Sequence, residues 1–451
     1  MATIGTIVMK RPPLPPASAV SRVETGLDRL LAAPSPDTTN RFFGWHAVTA
    51  AFIVAVFGWG LGFYGPPVYL EVVRQSRGWP IALISGAVTL HFAIGLALIP
   101  NLPALYRRFG LPIVTVLAGM AMAIGVLGWA LADHPWQLYA AAVLTGIGWS
   151  ALGAVAVNAI VVPWFSAKRA LALGVAFNGG SVGGVIFSPL WIALITWLGF
   201  VTAAIVVGAA MVAILGVLAV LVLRKTPQML GQTPDGLPLS SPAATILSSG
   251  EETPSTGREL ARNRAFLTLC LGMTLALFAQ TGLVAHLVSV LSPTLGTQNA
   301  GLTVGACGIA AVVGRLAVGS RASAIANWRL IAALSLMAQA AGCGILMLAA
   351  GASPLLLVLG VVMFGLGVGN AISIPPVIAG VEFKEADASR VVALIVAISQ
   401  GAYAAAPAAF GILRQLGSDN MMFLVAIAAQ IAGIAAYLMG RGVKVLDAPV
   451  S

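Results

Sequence analysis

Charge is what this chain most lacks. Of its 451 residues, 8% are Asp, Glu, Lys or Arg, about a third of the share usual in a soluble domain. Hydrophobic residues make up 59%, and mean hydropathy is +0.97. A water-soluble fold cannot hide that much apolar surface, so the scarcity of charge points to helices that use lipid as their solvent. Cysteine is scarce too. Cys270, Cys307 and Cys343 are odd in number and each sits in an apolar run, which excludes a disulfide framework or metal cluster and leaves small hydrophobic residues. Residues 1–40 hold "RPPLPPASAV" but no apolar core of signal-peptide length, so a disordered tail is expected there. A short amphipathic helix around Val20, Val23, Leu27 and Leu30 is the less favoured reading.

What is present is a set of apolar runs of roughly 20 residues. Six precede a polar gap: Trp45–Leu70, Pro80–Leu105, Leu111–Ala132, Trp136–Val162, Ala170–Leu198 and Val201–Leu223. Six follow it: Phe266–Leu291, Gln298–Ser320, Leu330–Ala350, Pro354–Ala379, Val391–Leu413 and Met421–Gly440. The gap is rich in Pro, Ser, Thr and Gly and reads as a solvated linker. The expected organisation is a tail (1–42), a six-helix bundle (43–223), a central loop (224–263), a second six-helix bundle (264–440) and a short tail (441–451).

Net charge is +10, and its distribution decides its meaning. With both termini placed in the cytoplasm, twenty of the 24 cations fall on the cytoplasmic side, Arg74, Arg77 and Arg414 on the other, and Arg315 within a span. The basic excess is thus a topology signal of an inner or plasma membrane protein, and no basic face is left for nucleic acid. A weak internal repeat joins the halves: "LTGIGWSALG" in the fourth span carries Gly146 and Gly148, and "MFGLGVGNAI" in the tenth carries Gly365 and Gly367. Parallel repetition of six-helix halves is the plan of major facilitator transporters, whose substrate site lies between the halves near the midplane.

The stretch "VPWFSAKRALALGVAFNGGSVGG" tests a phosphate-binding reading. A P-loop needs its Lys after the glycines and a strand before them; here Lys168 precedes Gly174, Gly179, Gly180, Gly183 and Gly184. Gly179/Gly183 and Gly180/Gly184 form overlapping G-x-x-x-G pairs, expected to let another helix approach closely. Lys168 and Arg169 open a helix where the macrodipole disfavours cations, so retention on the cytoplasmic side explains them better.

The same stretch resembles the fourth-loop and fifth-helix signature of the monocarboxylate porter branch of the major facilitator superfamily. "FGWHAV", "YGPPVYLEVVRQSRGW" and "TPQMLGQTPDG" resemble that branch too, especially its bacterial oxalate/formate-antiporter-like members, over residues 43–438. The resemblance implies that Arg315, in "AVVGRLAVG", anchors a carboxylate, a role its bidentate guanidinium suits. The alternative is that Arg315, six residues from Arg321, snorkels or serves a gate. The chain departs from the branch pattern at Ala311, Val68 and Gln400, where relatives carry an aspartate or lysines. In "PALYRRFG" it lacks the superfamily's loop Gly and Asp, while retaining Arg108 and Gly110.

No Asp or Glu lies in mid-span, Glu71 standing at a span end, so an embedded acidic proton relay is not expected. His91 and His286 titrate near neutrality in water, yet each alone is more often a packing residue. Tyr64, Gln280, Asn370, Gln400 and Tyr403 are further polar candidates for orienting a small ligand, with interhelical packing as the bland reading of each. Pro66–Pro67 and Pro375–Pro376 are expected kinks or helix ends, suited to gating.

The expected protein is an all-α membrane transporter with twelve spans, no cofactor and no enzymatic activity, functional as a monomer. It is expected to move a small organic anion, a monocarboxylate above all, by proton symport or anion exchange. Efflux of a drug-like or neutral solute is the alternative within transport; a non-transporting membrane sensor is the alternative from another class.

Overall fold

The computed structural model describes residues 42–236, 257–321, 327–349 and 353–440. Both tails, including the segment around Val20 to Leu30, and much of the central loop lie outside the described residues. Among the described residues there is no strand, and twelve helical spans are long and apolar enough to cross a bilayer. The first half holds α1 (Gly44–Arg77), α2 (Ile81–Phe109), α3 (Leu111–Leu131), α4 (Pro135–Trp164), α5 (Leu171–Leu198) and α6 (Phe200–Leu223). The second holds α7 (Arg264–Leu295), α8 (Thr297–Gly319), α9 (Trp328–Ala349), α10 (Pro354–Glu382), α11 (Arg390–Leu416) and α12 (Asp419–Met439). An even number of spans returns the chain to the side on which it began. That side is called here the terminal face, and its opposite the far face.

Several spans outlast their apolar runs. Span α1 continues as helix through Arg77, because Glu71 is bonded by Arg74 at 2.9 and 2.8 Å and by Gln75 at 2.6 Å. Glu71 is buried within the helix at 1% exposure, not at a span end as the hydropathy reading had it.

Span α2 tightens into a 3-10 turn at Ile99–Asn101, and α1, α4 and α10 are interrupted at or beside a glycine. In α1 the helix stops at Gly62 and resumes at Gly65. Pro66 and Pro67 lack the N–H groups that the carbonyls of Gly62 and Phe63 would accept in a continuous helix. Span α4 breaks at Gly153, whose ψ of −151° leaves the helical region. Span α10 breaks at Gly369, between helices ending at Val368 and starting at Asn370. Pro375 and Pro376 lie inside that second helix and do not end it.

The two halves repeat their packing as well as their sequence. A Cβ on Gly146 would lie 2.5 Å from the His91 carbonyl of α2, and one on Gly365 2.7 Å from the Cys307 carbonyl of α8. On Gly148 it would lie 2.6 Å from Met122 of α3, and on Gly367 2.2 Å from the Ser335 carbonyl of α9. Each G-x-G therefore lets the fourth helix of its half meet the second and the third at backbone distance.

Three helix pairs form the seam between the halves: α1 with α7, α2 with α11, and α5 with α8. Along α2 and α11, Gln415 accepts the Ala82 N–H at 3.3 Å, and Thr89 accepts the Ala408 N–H at 2.9 Å. The latter donor adjoins Pro407, whose ring disturbs the helical ladder.

At the terminal face each half is tied differently. In the first, the Asp235 carboxylate accepts the backbone N–H groups of Ser166, Ala167 and Lys168 at 3.0, 2.6 and 3.2 Å. These amides lead into the helix Arg169–Leu198, which contains span α5 and has no side-chain cap of its own. Asp235 thus supplies the negative charge that the macrodipole favours there. In the second half Arg329 is 1% exposed and grips Glu382 through Nε and Nη2, both at 2.7 Å. It also donates to Thr268 Oγ1 at 2.9 Å and the Ala265 carbonyl at 2.8 Å, joining α7, α9 and α10. Arg315 is therefore not the chain's sole interior charge.

Candidate functional site

Arg315 does not snorkel. From α8 its Nη1 donates across the seam to Asn178 Oδ1 of α5 at 3.0 Å, and its Nε donates to the Gly369 carbonyl at 3.2 Å. The second acceptor exists at the α10 break, where Ser373 Oγ also donates to it at 3.0 Å. Both partners of Arg315 are neutral, and no carboxylate pairs with it among the described residues. The Tyr64 hydroxyl lies within its electrostatic reach.

Tyr64 sits at the α1 break because α5 leaves room for it. A Cβ on Gly184 would come 2.5 Å from the Tyr64 ring, and one on Gly180 3.0 Å from Trp59. The companion pair, Gly179 and Gly183, faces backbone instead: Cβ atoms there would lie 2.2 Å from the Phe52 carbonyl and 2.4 Å from that of Val56. One G-x-x-x-G pair brings α5 onto α1, and the other seats two aromatic rings.

Those rings belong to a larger group. Phe63 packs edge-on against Tyr64 at 5.1 Å between centroids, Trp59 against Trp149 at 5.2 Å, and Trp59 against Phe177 at 6.2 Å. Phe92 packs against Trp149 at 6.0 Å and against Tyr403 of α11 at 5.7 Å. Edge-to-face contacts of this kind fix ring positions beyond simple burial. Tyr403 donates a short hydrogen bond to Gln400 Oε1, while the buried Gln400 Nε2 has no partner. One half thus presents an aromatic wall, and the other presents Arg315, Gln400 and Tyr403.

The remaining candidates lie elsewhere. His91 is 1% exposed; its Nδ1 is 2.9 Å from Thr145 Oγ1, and its Nε2 2.8 Å from the Gly62 carbonyl. That carbonyl is the one Pro66 leaves without a helical donor. His286 is buried too, its Nε2 lying 2.9 Å from the Pro407 carbonyl. Its other nitrogen is 3.4 Å from Arg414 Nη1, near the far face, where Arg414 pairs with Asp419 at 2.6 Å. Asn370 turns from Arg315 to donate to Ser335 Oγ of α9 at 3.1 Å. Gln280 is 2% exposed with an unpartnered Oε1. Pro66 and Pro67 line a small cavity with Phe63 and Phe92. Arg108, Lys168 and Arg169 are exposed at the terminal face, Arg108 lying 5.2 Å from the Phe109 ring. Gly110 joins α2 to α3 at a φ of +81°, a value that favours glycine. Asn178, Trp59 and Trp149 were not singled out from sequence. Asn178 had a signal, being the one amide in the glycine stripe of α5.

A sequence model of the Major Facilitator Superfamily matches residues 48–407. The chain belongs to the Major Facilitator Superfamily. Members of that superfamily are membrane transporters rather than enzymes, built as paired six-helix bundles. Among curated proteins, it is 25% identical over 241 residues to the MFS transporter asaE of Aspergillus flavus, covering 51% of this chain and 53% of that one. It is 27% identical over 174 residues to monocarboxylate transporter 9 of Mus musculus, covering 37% and 33%. These matches span about half or less of each relative's length. Among solved structures, a bacterial homolog of the human lysosomal transporter Spinster, inward-facing and occupied, matches with a TM-score of 0.66 at 14% identity, over 89% of this chain and 97% of that one. The nucleoside transporter NupG matches with a TM-score of 0.66 at 14% identity, over 88% and 100%. At that identity the likeness concerns the fold alone.

Proposed function

We propose that this superfamily member moves a small organic anion, a monocarboxylate above all, by alternating access, with Arg315 as the anchor. The observation that carries the reading is the environment of that guanidinium: it stands at the seam inside a membrane span with neutral acceptors only. A charge in hydrocarbon costs at least a few kcal/mol, and an anionic substrate supplies the missing partner. Two of its five N–H groups are engaged, by Asn178 and Gly369, leaving donors for a carboxylate. One cation suits one carboxylate. Because the Asn178 bond crosses the seam, an anion that competes for Nη1 exchanges a contact between the halves for a contact to itself, and the halves rock about it.

Coupling is by proton symport or anion exchange. The protein works as a monomer in the inner or plasma membrane, with the terminal face cytoplasmic, as its Lys and Arg distribution favours. The aromatic wall beside Arg315 suits an acid with an apolar body. The same wall favours a second reading, efflux of an amphipathic neutral solute.

Proteoliposome counterflow with mono-, di- and uncharged solutes, with and without a pH gradient, separates the two. Monocarboxylate counterflow that is lost in Arg315→Gln is expected. Movement of uncharged solutes alone, unaffected by that substitution, would overturn the anion reading.

A further inference from the structure

Behind the α10 break, on the side away from Arg315, lies a cavity of about 10 Å³ lined by Ser335 and Gln339 of α9, Asn370 of α10, Ala276 of α7 and Tyr437 of α12. That volume is about what one water molecule requires. Its polar lining is deeply buried and incompletely bonded. Gln339 is 0% and Asn370 4% exposed; both amide atoms of Gln339, and Asn370 Oδ1, have no hydrogen-bond partner. Ser335 cannot donate to the two amide oxygens, since its one hydroxyl hydrogen already goes to the Ile331 carbonyl at 2.9 Å. A buried polar group left unsatisfied forfeits the hydrogen bonds it made to water in the unfolded chain, so two amides in one cavity are a strong demand for a shared partner.

We propose that this cavity binds one internal water, which donates its two hydrogens to Asn370 Oδ1 and Gln339 Oε1 and so bridges α10 to α9. A monovalent cation is the wrong ligand. The lining holds no carboxylate, and an uncompensated charge in a low-dielectric interior is far costlier than a neutral dipole. The position gives the water a task. Asn370 directly follows Gly369, whose carbonyl holds Arg315 on the other side of the helix. A bridge through water adds a second polar link between the α10 break and α9, beside the direct bond from Asn370 Nδ2 to Ser335 Oγ. The inference stands whether the substrate is an anion or a neutral solute.

Synchrotron radiolysis of the intact protein in detergent tests it, since hydroxyl radicals generated from a bound water label the side chains around it. Leu336, which lines the cavity and is 2% exposed, is expected to be labelled in the wild type and several-fold less in Gln339→Leu. In thermal unfolding, Gln339→Leu and Asn370→Leu are expected to be non-additive, the double variant losing no more than the worse single one. Absence of Leu336 labelling in the wild type would overturn the proposal without any variant having to fold. So would additive Tm losses, a Tm that rises with sodium, or an experimental map with Gln339 and Asn370 bonded directly.

Discussion

The two halves share a helix plan but divide the chemistry between them. The first half is held by close glycine contacts and rings, with Gly179 and Gly183 on the α1 backbone, Trp59 edge-on to Trp149 and Phe63 tilted against it. The first half buries Glu71 and His91, while the second carries both interior arginines, Arg315 and the Arg329 of the Glu382 pair, and the amides of Gln280, Gln339, Asn370 and Gln400. The difference teaches that two arginines in one half, Arg329 buried and Arg315 half-buried, hold opposite kinds of position. Arg329 has a carboxylate, a hydroxyl and a carbonyl around it, and is a structural clamp. Arg315 has two neutral oxygens and no counter-charge, which suits a residue awaiting a ligand.

Breaking the clamp is expected to have the largest effect on folding. Arg329→Met leaves Glu382 without its cation, and removing one partner of a buried pair costs about 3–5 kcal/mol, read as a large fall in Tm in detergent. Adding Glu382→Leu removes the stranded charge and is expected to restore most of that loss. Next comes the helix contact on which the first half depends. Gly179→Val drives a side chain into the Phe52 carbonyl, 2.2 Å from the Cβ position, and overpacking of this kind costs about 1–3 kcal/mol. Its Tm loss sharpens the comparison when set beside that of Gly174→Ala, in the same helix, where a Cβ meets nothing within 4 Å.

Smaller again is the cap that ties the loop to α5. Asp235→Ala removes the acceptor for three amides, and loss of a cap costs about 1 kcal/mol. Hydrogen exchange at residues 166–168 is expected to quicken while that at Arg329 and Glu382 stays unchanged. Least affected is Gly174→Ala itself, which is expected to leave Tm unchanged or raise it by up to about 1 kcal/mol in stability, since alanine is the better helix former.

Hydropathy alone made the twelve spans and their six-plus-six division legible, and the G-x-G repeat pointed to matching positions in the halves. Arg315 stood out because a charge amid apolar residues is visible without coordinates. Helix rotation is not visible in that way. Asn370 and His91 are as polar as Asn178, yet the first turns to α9, the second serves a carbonyl that Pro66 leaves without a donor, and only the third meets Arg315. Arg329 read as a loop cation because hydropathy windows end where charge begins, and nothing local announces that Glu382, 53 residues on, will bury it. Asp235 was hidden by the same distance, its three amides lying 67 to 69 residues away.

The contrast between the two arginines reduces to one measurement: binding of a radiolabelled monocarboxylate to purified Arg315→Gln, alongside its thermal unfolding. The account predicts that binding weakens at least tenfold, in keeping with loss of a charge-assisted contact worth about 1.5–3 kcal/mol, while Tm stays at or above the wild-type value because an uncompensated charge inside a membrane span has gone. Retained binding, or a Tm that collapses as Arg329→Met is expected to make it, would contradict it.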